Sequence, residues 1–139
     1  MENKYDSSVD TLLHIKRVSQ LLNRFAKELI ERGEVHDDSK LVSPEKELFD
    51  ELTPLLSSLK YGTPEYQESL DRLKPALDHH YANNSHHPQY YENGVDGMDL
   101  FDLVEMFFDW KAATERTKDG DIRKSVEINS TRFNLSPQL

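Results

Sequence analysis

The stretch Asp99-Leu-Phe-Asp-Leu-Val-Glu-Met-Phe-Phe-Asp-Trp-Lys-Ala-Ala-Thr-Glu-Arg116 is the most apolar helical pattern in the chain. With Asp109 set at zero on a wheel of about 100° per residue, Asp102, Glu105 and Arg116 fall within about 40° of it. Leu100, Leu103, Val104 and Phe107 lie on the opposite side. A helix this apolar is expected to run through the middle of a domain. Flanked by Phe107, Phe108 and Trp110, Asp109 would have its backbone deep, where an ionised carboxylate persists only if paired or bound to a cation. Asp102 and Glu105 fit a solvated acidic stripe equally well.

Outward from this helix, the pattern stays helical in both directions. Lys118-Asp119-Gly120 ends it and Asp121 caps a last helix, with Ile122, Val126, Asn129 and Phe133 as its stripe. Upstream, Thr63-Pro64-Glu65 opens a helix with Leu70, Leu73 and Leu77 along one face, and Pro75 inside it predicts a kink. Ser43-Pro44-Glu45 opens another in the same way, burying Leu48, Phe49, Leu52 and Leu56, with Pro54 expected to bend or end it. The first helix is expected from Ser8 or Asp10 to Arg32, stopped by Gly33. His14, Val18, Leu21, Phe25 and Leu29 share one of its faces, so His14 is expected to point inward, where an imidazole needs a partner. There is no strand-like alternation, internal repeat, phosphate-cradling glycine loop or nucleophile elbow. The expected fold class is all-α, a single-domain helical bundle over residues 1–139.

Composition narrows the function. At 139 residues with no long Gly/Ser-rich interruption, the chain suits one domain with a core of its own. A formal net charge of -9 argues against nucleic acid and anionic membranes as partners, because an acidic surface repels polyphosphate. A small phosphorylated ligand remains allowed where metal ions or a few local cations neutralise it. There is no cysteine, so any metal must be bound through nitrogen and oxygen. No apolar run approaches the length that spans a bilayer, and Met1-Glu-Asn-Lys-Tyr-Asp6 lacks the apolar core of a signal peptide, so a cytoplasmic location is expected.

Six histidines carry the chemistry. In Glu34-Val35-His36-Asp37-Asp38-Ser39-Lys40, the His36-Asp37 pair offers a divalent cation a nitrogen and a carboxylate oxygen from adjacent positions, although a surface His-Asp pair needs no function. Four more stand in Asp78-His79-His80-Tyr81-Ala82-Asn83-Asn84-Ser85-His86-His87-Pro88. His79 and His80 leave a helix end in different directions, so one member of the pair can face a site while the other packs or meets solvent. His86 and His87 sit on a loop that Pro88, Asn93-Gly94 and Asp96-Gly97 mark as irregular. A loop rich in Tyr, Asn and His is a place to hold a substrate.

The order of His14, the His36-Asp37 dipeptide, a histidine-rich segment and Asp109 resembles the HD-domain superfamily of metal-dependent phosphohydrolases. That resemblance implies an all-helical fold and a divalent cation held by His14, His36, Asp37 and Asp109. The segment His36-Asp37-Asp38-Ser39-Lys40 is also similar to the His-Asp-x-Gly-Lys segment of the HD-GYP branch, with Ser39 in place of glycine, which puts Lys40 near the phosphate. The Gly-Tyr-Pro part of that branch is missing, so its cyclic dinucleotide specificity is not carried over. By likeness to two-metal members, His79 or His80 and His86 or His87 would complete a second metal position. The cation, one or two per chain, would be Mn, Fe, Co, Ni, Zn or Mg.

On this view the ion polarises a phosphoryl oxygen and acidifies a water. Lys40 and Arg116 balance charge on the phosphate, Asp38 or Glu105 accepts the water's proton, and His86 and His87 contact the substrate. The expected activity is hydrolysis of a small nucleotide or other phosphorylated metabolite. Its rival is an HD scaffold that binds or sequesters a nucleotide or a partner protein without turnover. Apolar stripes on the first and last helices would permit a homodimer. The stretches Leu-Lys-Pro-Ala-Leu-Asp-His-His-Tyr-Ala and Leu-Val-Glu-Met-Phe-Phe-Asp-Trp-Lys-Ala-Ala-Thr are also similar to a family of small phage and bacterial proteins of unknown function.

Overall fold

The structure, a computed structural model, describes residues 5–60, 62–116 and 118–138. The described residues are helical, with no strand among them, and they fall into two compact units, Met1–His36 and Asp37–Leu139. Residues 1–4, on which part of the signal-peptide reading rests, lie outside the described residues. No described helix is long and apolar enough to cross a membrane.

The first unit is the helix α1, Ser8–Val35. Asp6 fixes its start, because Oδ1 accepts the Ser8 N–H at 3.0 Å and the Ser8 hydroxyl at 2.6 Å, satisfying a donor that the first turn leaves over. The helix runs through Gly33 instead of stopping there. Gly33 does not adopt the left-handed conformation a C-terminal stop uses, and termination comes at His36, whose ψ of 125° is extended. No residue of α1 is buried, and His14 is exposed along with Val18 and Leu21. The expected inward-pointing His14 is therefore corrected. Helical periodicity decides which residues share a face, but it does not decide that the face is covered.

The second unit holds α2 (Glu45–Ser58), α3 (Pro64–Asn83), α4 (Leu100–Glu115) and α5 (Ile122–Phe133), with 3-10 turns at Asp38–Leu41, Pro88–Tyr90 and Gly94–Gly97. Helices α2 and α3 both start at the expected prolines, although α2 has Pro44 itself as its N-cap where Ser43 was expected. At the head of α3, Thr63 Oγ1 accepts the Tyr66 N–H at 3.3 Å, with Pro64 placed where its missing N–H costs nothing. Neither internal proline ends its helix. α2 continues past Pro54 and α3 past Pro75, although each proline removes one backbone hydrogen bond. Packing between the two helices offsets that loss, since Leu52, Leu73 and Ala76 form a buried core with Leu48, Phe49, Leu56 and Leu77 against it. The continuation of α3 matters for the site because its last turns carry His79 and His80.

α4 opens with a reciprocal cap. Asp99 Oδ1 accepts the Asp102 N–H at 2.9 Å, and Asp102 Oδ2 accepts the Asp99 N–H at 3.1 Å. Its buried face is not the apolar one expected. Leu100, Phe107 and Phe108 are 61%, 42% and 62% exposed, whereas Asp102 and Met106 are buried. Asp102 is no solvated stripe because it has donors waiting: the Ser85 hydroxyl and the Tyr91 hydroxyl both reach it at 2.6 Å, and a carboxylate so satisfied can stay buried. α5 joins α4 through the stacked rings of Trp110 and Phe133, with centroids 6.1 Å apart and planes at 9°.

Between α3 and α4 the chain folds tightly. A Cβ added to Gly97 would stand 2.8 Å from Tyr91 Cβ and 2.7 Å from Asn93 Oδ1. Gly97→Ala is therefore expected to destabilise the protein by about 1–3 kcal/mol through overpacking. Gly33→Ala is the control. It sits in a helix with nothing within 4 Å of the added methyl, and it should raise the melting temperature slightly. Thermal unfolding of the two variants measures the contrast.

Candidate metal centre

Three segments of the second unit bring nitrogen and oxygen donors to one point. Asp37 comes from the turn before α2, His80 from the end of α3, and His86 and His87 from the loop that follows, and their donor atoms all lie within 4.8 Å of one another. Each segment has a local reason for its shape. Asp37 occupies the left-handed region at φ 60°, which Asp tolerates better than most residues, and its carbonyl accepts the Lys40 N–H at 2.9 Å to close the turn. The Asn84–His87 turn is closed by the His87 N–H on the Asn84 carbonyl at 3.2 Å. Ser85, bound to Asp102, ties that turn to α4.

The separations are short enough for these atoms to share an ion. His80 Nε2 lies 3.2 Å from Asp37 Oδ1, His86 Nε2 3.5 Å from the same oxygen, and His80 Nε2 2.9 Å from His87 Nε2. Two ligand bonds of about 2.0–2.1 Å hold their donors about 2.9 Å apart at a right angle and about 3.3 Å apart at a tetrahedral angle. Asp37 and Asp109 carboxylate oxygens also lie within 4.8 Å of each other, an approach of like charges that positive charge between them favours.

The electrostatics suit that role. Burial works to raise the Asp37 pKa, but the neighbouring imidazoles of His80 and His86 and the Lys40 ammonium 2.6 Å away outweigh it and hold the carboxyl well below the usual range. Burial, followed by the neighbouring charges of His86 and His80, pushes His87 down to about 3. His87 is then neutral at neutral pH, the form that ligates a metal. Beside the cluster, a cleft of about 670 Å³ is lined by Asp78, Tyr81, Ala82, Gln89 and Tyr90. The Tyr81 ring meets the His87 ring edge-on, with centroids 5.0 Å apart.

One family's pattern matches the chain over residues 2–139. The chain belongs to the DUF5662 family, a family of unknown function. No curated protein and no solved structure matches it.

In this DUF5662 chain the donor set of three imidazoles and a carboxylate could hold a divalent cation, and it suits Mn, Fe, Co, Ni or Zn better than Mg. The structure brings together Asp37 and His80, read from the sequence as ligands, with His86 and His87, read both as substrate contacts and, one or the other, as part of a second metal position. Asp109 stands next to Asp37. His79 does not join them: it is part-exposed and its Nδ1 lies 2.7 Å from Glu45 Oε1. Lys40 bonds Asp37, and Glu105 Oε1 lies 3.0 Å from His86 Nδ1. Asp38 is exposed. Arg116 is exposed at the C-cap of α4, seven residues or about 10 Å of helix rise beyond Asp109. His14 and His36 belong to the first unit, His36 as the residue at which α1 ends. Glu45, Ser39, Asn84 and Asp102 were not marked from the sequence as part of a site. Glu45 in particular looks like any acid in the first turn after a proline, and its burial depends on contacts with residues 34 and 35 positions away.

Proposed function

We propose that this chain is a metal-dependent phosphohydrolase of the HD type, acting on a small nucleotide or other phosphorylated metabolite. The observation that carries the reading is the convergence of His80, His86, His87 and Asp37 at separations a shared cation would give. A divalent cation held there supplies Lewis acidity toward a phosphoryl group and acidifies a water. Lys40, beside Asp37, is a cationic side chain placed to offset charge on the phosphate. Asp109, next to Asp37, is the carboxylate best placed to take a proton from the attacking water. The cleft behind Tyr81 would receive the organic part of the substrate.

Purified protein incubated with Mn or Co and a panel of nucleotides and sugar phosphates tests the reading, with phosphate release as the measurement. Tyr90→Ala is expected to raise KM about tenfold, the loss of one ring-stacking contact, and to leave kcat unchanged, because Tyr90 lines the cleft away from the donors. A second reading, a scaffold that holds a cation and a ligand without turnover, is favoured by the number of converging protein donors, since four suffice to close a tetrahedral site. Cation and ligand binding with the ligand recovered intact would decide for it.

A further inference from the structure

The geometry points to Glu45 and Glu105 as positioning residues that fix His80 and His86 with their Nε2 lone pairs turned toward Asp37. This rests on the cation reading above and adds to it two carboxylates that touch neither ion nor substrate.

The acceptor-only oxygens of Glu45 assign the hydrogens around it. Asn84 Nδ2 carries two protons, and acceptors stand ready for both: the His80 carbonyl at 2.8 Å and Ser39 Oγ at 2.9 Å. Ser39 Oγ, having accepted there, donates its own proton to Glu45 Oε2 at 3.0 Å. His80 Nδ1 has Ser39 Oγ and Asn84 Nδ2 each at 3.1 Å and this oxygen nearer, at 3.0 Å; a carboxylate only accepts, so Nδ1 is assigned as its N–H donor. Glu45 Oε1 receives the His79 Nδ1–H at 2.7 Å. The carboxylate of Glu45 is fully buried, and these three donors satisfy its oxygens.

Glu105 does the same for the loop histidine, with Oε1 3.0 Å from His86 Nδ1. An imidazole that donates through Nδ1 presents a lone pair at Nε2. Those two lone pairs and Asp37 Oδ1 then face one another at 3.2 and 3.5 Å, an arrangement that a positive charge between them stabilises. A carboxylate behind a ligating histidine both aims the ring and raises its basicity. Glu45 further ties three donor-bearing or donor-adjacent segments together: the Asp37–Ser39 turn, the first turn of α2 and the last turns of α3.

The test is calorimetric titration of the full chain with Zn and Co, alongside Glu45→Gln and Glu105→Gln, which keep size and one acceptor oxygen. Leu52→Val serves as a packing control, because Leu52 is buried in the α2–α3 core away from the donors. Each Gln variant should weaken cation affinity about 10- to 100-fold and change the visible absorption of bound Co, while Leu52→Val lowers the melting temperature and leaves affinity and spectrum as they were. Glu45→Asp should lie between Glu45→Gln and the unaltered chain. Equal affinity in the unaltered chain and both Gln variants would overturn the assignment while leaving the cation reading intact. No binding by the unaltered chain would overturn both.

Discussion

His80→Ala is expected to abolish stoichiometric binding of Zn, Co or Mn, weakening affinity by more than about 100-fold, since loss of a ligand exceeds the loss of its supporting partner. His80 is the centre of the arrangement: Nε2 faces Asp37 Oδ1 and His87 Nε2 while Nδ1 faces Glu45. Because His80 is only 1% exposed, its removal also leaves a hole and a buried Glu45 oxygen short of a donor, which destabilises the chain by about 1–3 kcal/mol. The two effects separate cleanly in a chelator. His79→Ala removes an imidazole from the same carboxylate but none from the cluster, so it should bind the cation with affinity within about tenfold of the unaltered chain. Equilibrium dialysis of both variants measures this, and equal retention of metal by His80→Ala would contradict it.

The second large effect is on stability. Asp102→Ala strips the partner from the Ser85 hydroxyl, the Tyr91 hydroxyl and the Asp99 N–H at once, and it also removes the reciprocal cap of α4. Leaving buried donors without acceptors and losing a cap should together cost about 3–5 kcal/mol, read as a drop in melting temperature of about 10 °C or more. Since Ser85 precedes His86 and His87, the same variant should weaken cation binding without touching a donor atom.

Tyr91 gives an independent readout of the Asp102 network. Burial first, and then the Asp102 hydrogen bond and charge, push its phenol up to about 12. The raised pKa means that folding favours the protonated phenol. Its contribution to stability is whole below the ordinary value near pH 10 and disappears as pH rises through about 12. In Asp102→Ala the phenol should titrate closer to the ordinary value, followed by ultraviolet absorption. An unchanged titration would show that Asp102 does not hold Tyr91.

What could be read from the sequence divides along the range of the interactions involved. The starts of α2 and α3 were legible because Ser-Pro-Glu and Thr-Pro-Glu act within one turn, and the Leu52 and Leu73 stripes were legible because helical spacing is local. The orientation of α4 was not. A wheel ranks its faces by hydropathy, and no local rule shows that Ser85 and Tyr91, 17 and 11 residues earlier, supply the donors that allow Asp102 to be buried. The choice between His79 and His80 was closed to the sequence for the same reason, since it depends on where Glu45 lies across the α2–α3 packing. His86 and His87 were recognised as chemically active but left divided between a substrate and a second metal position, because their loop looks irregular until Ser85 is seen anchored on α4. His14, expected inward, is exposed on a helix with no buried residue, and periodicity alone could not say so.

Diffraction from crystals grown with Zn or Mn, recorded at the metal's absorption edge, tests the central claim most directly. The account predicts an anomalous peak within bonding distance of the Nε2 atoms of His80, His86 and His87 and of an Asp37 carboxylate oxygen. A peak confined to surface carboxylates, or none in protein shown to be folded, would contradict it.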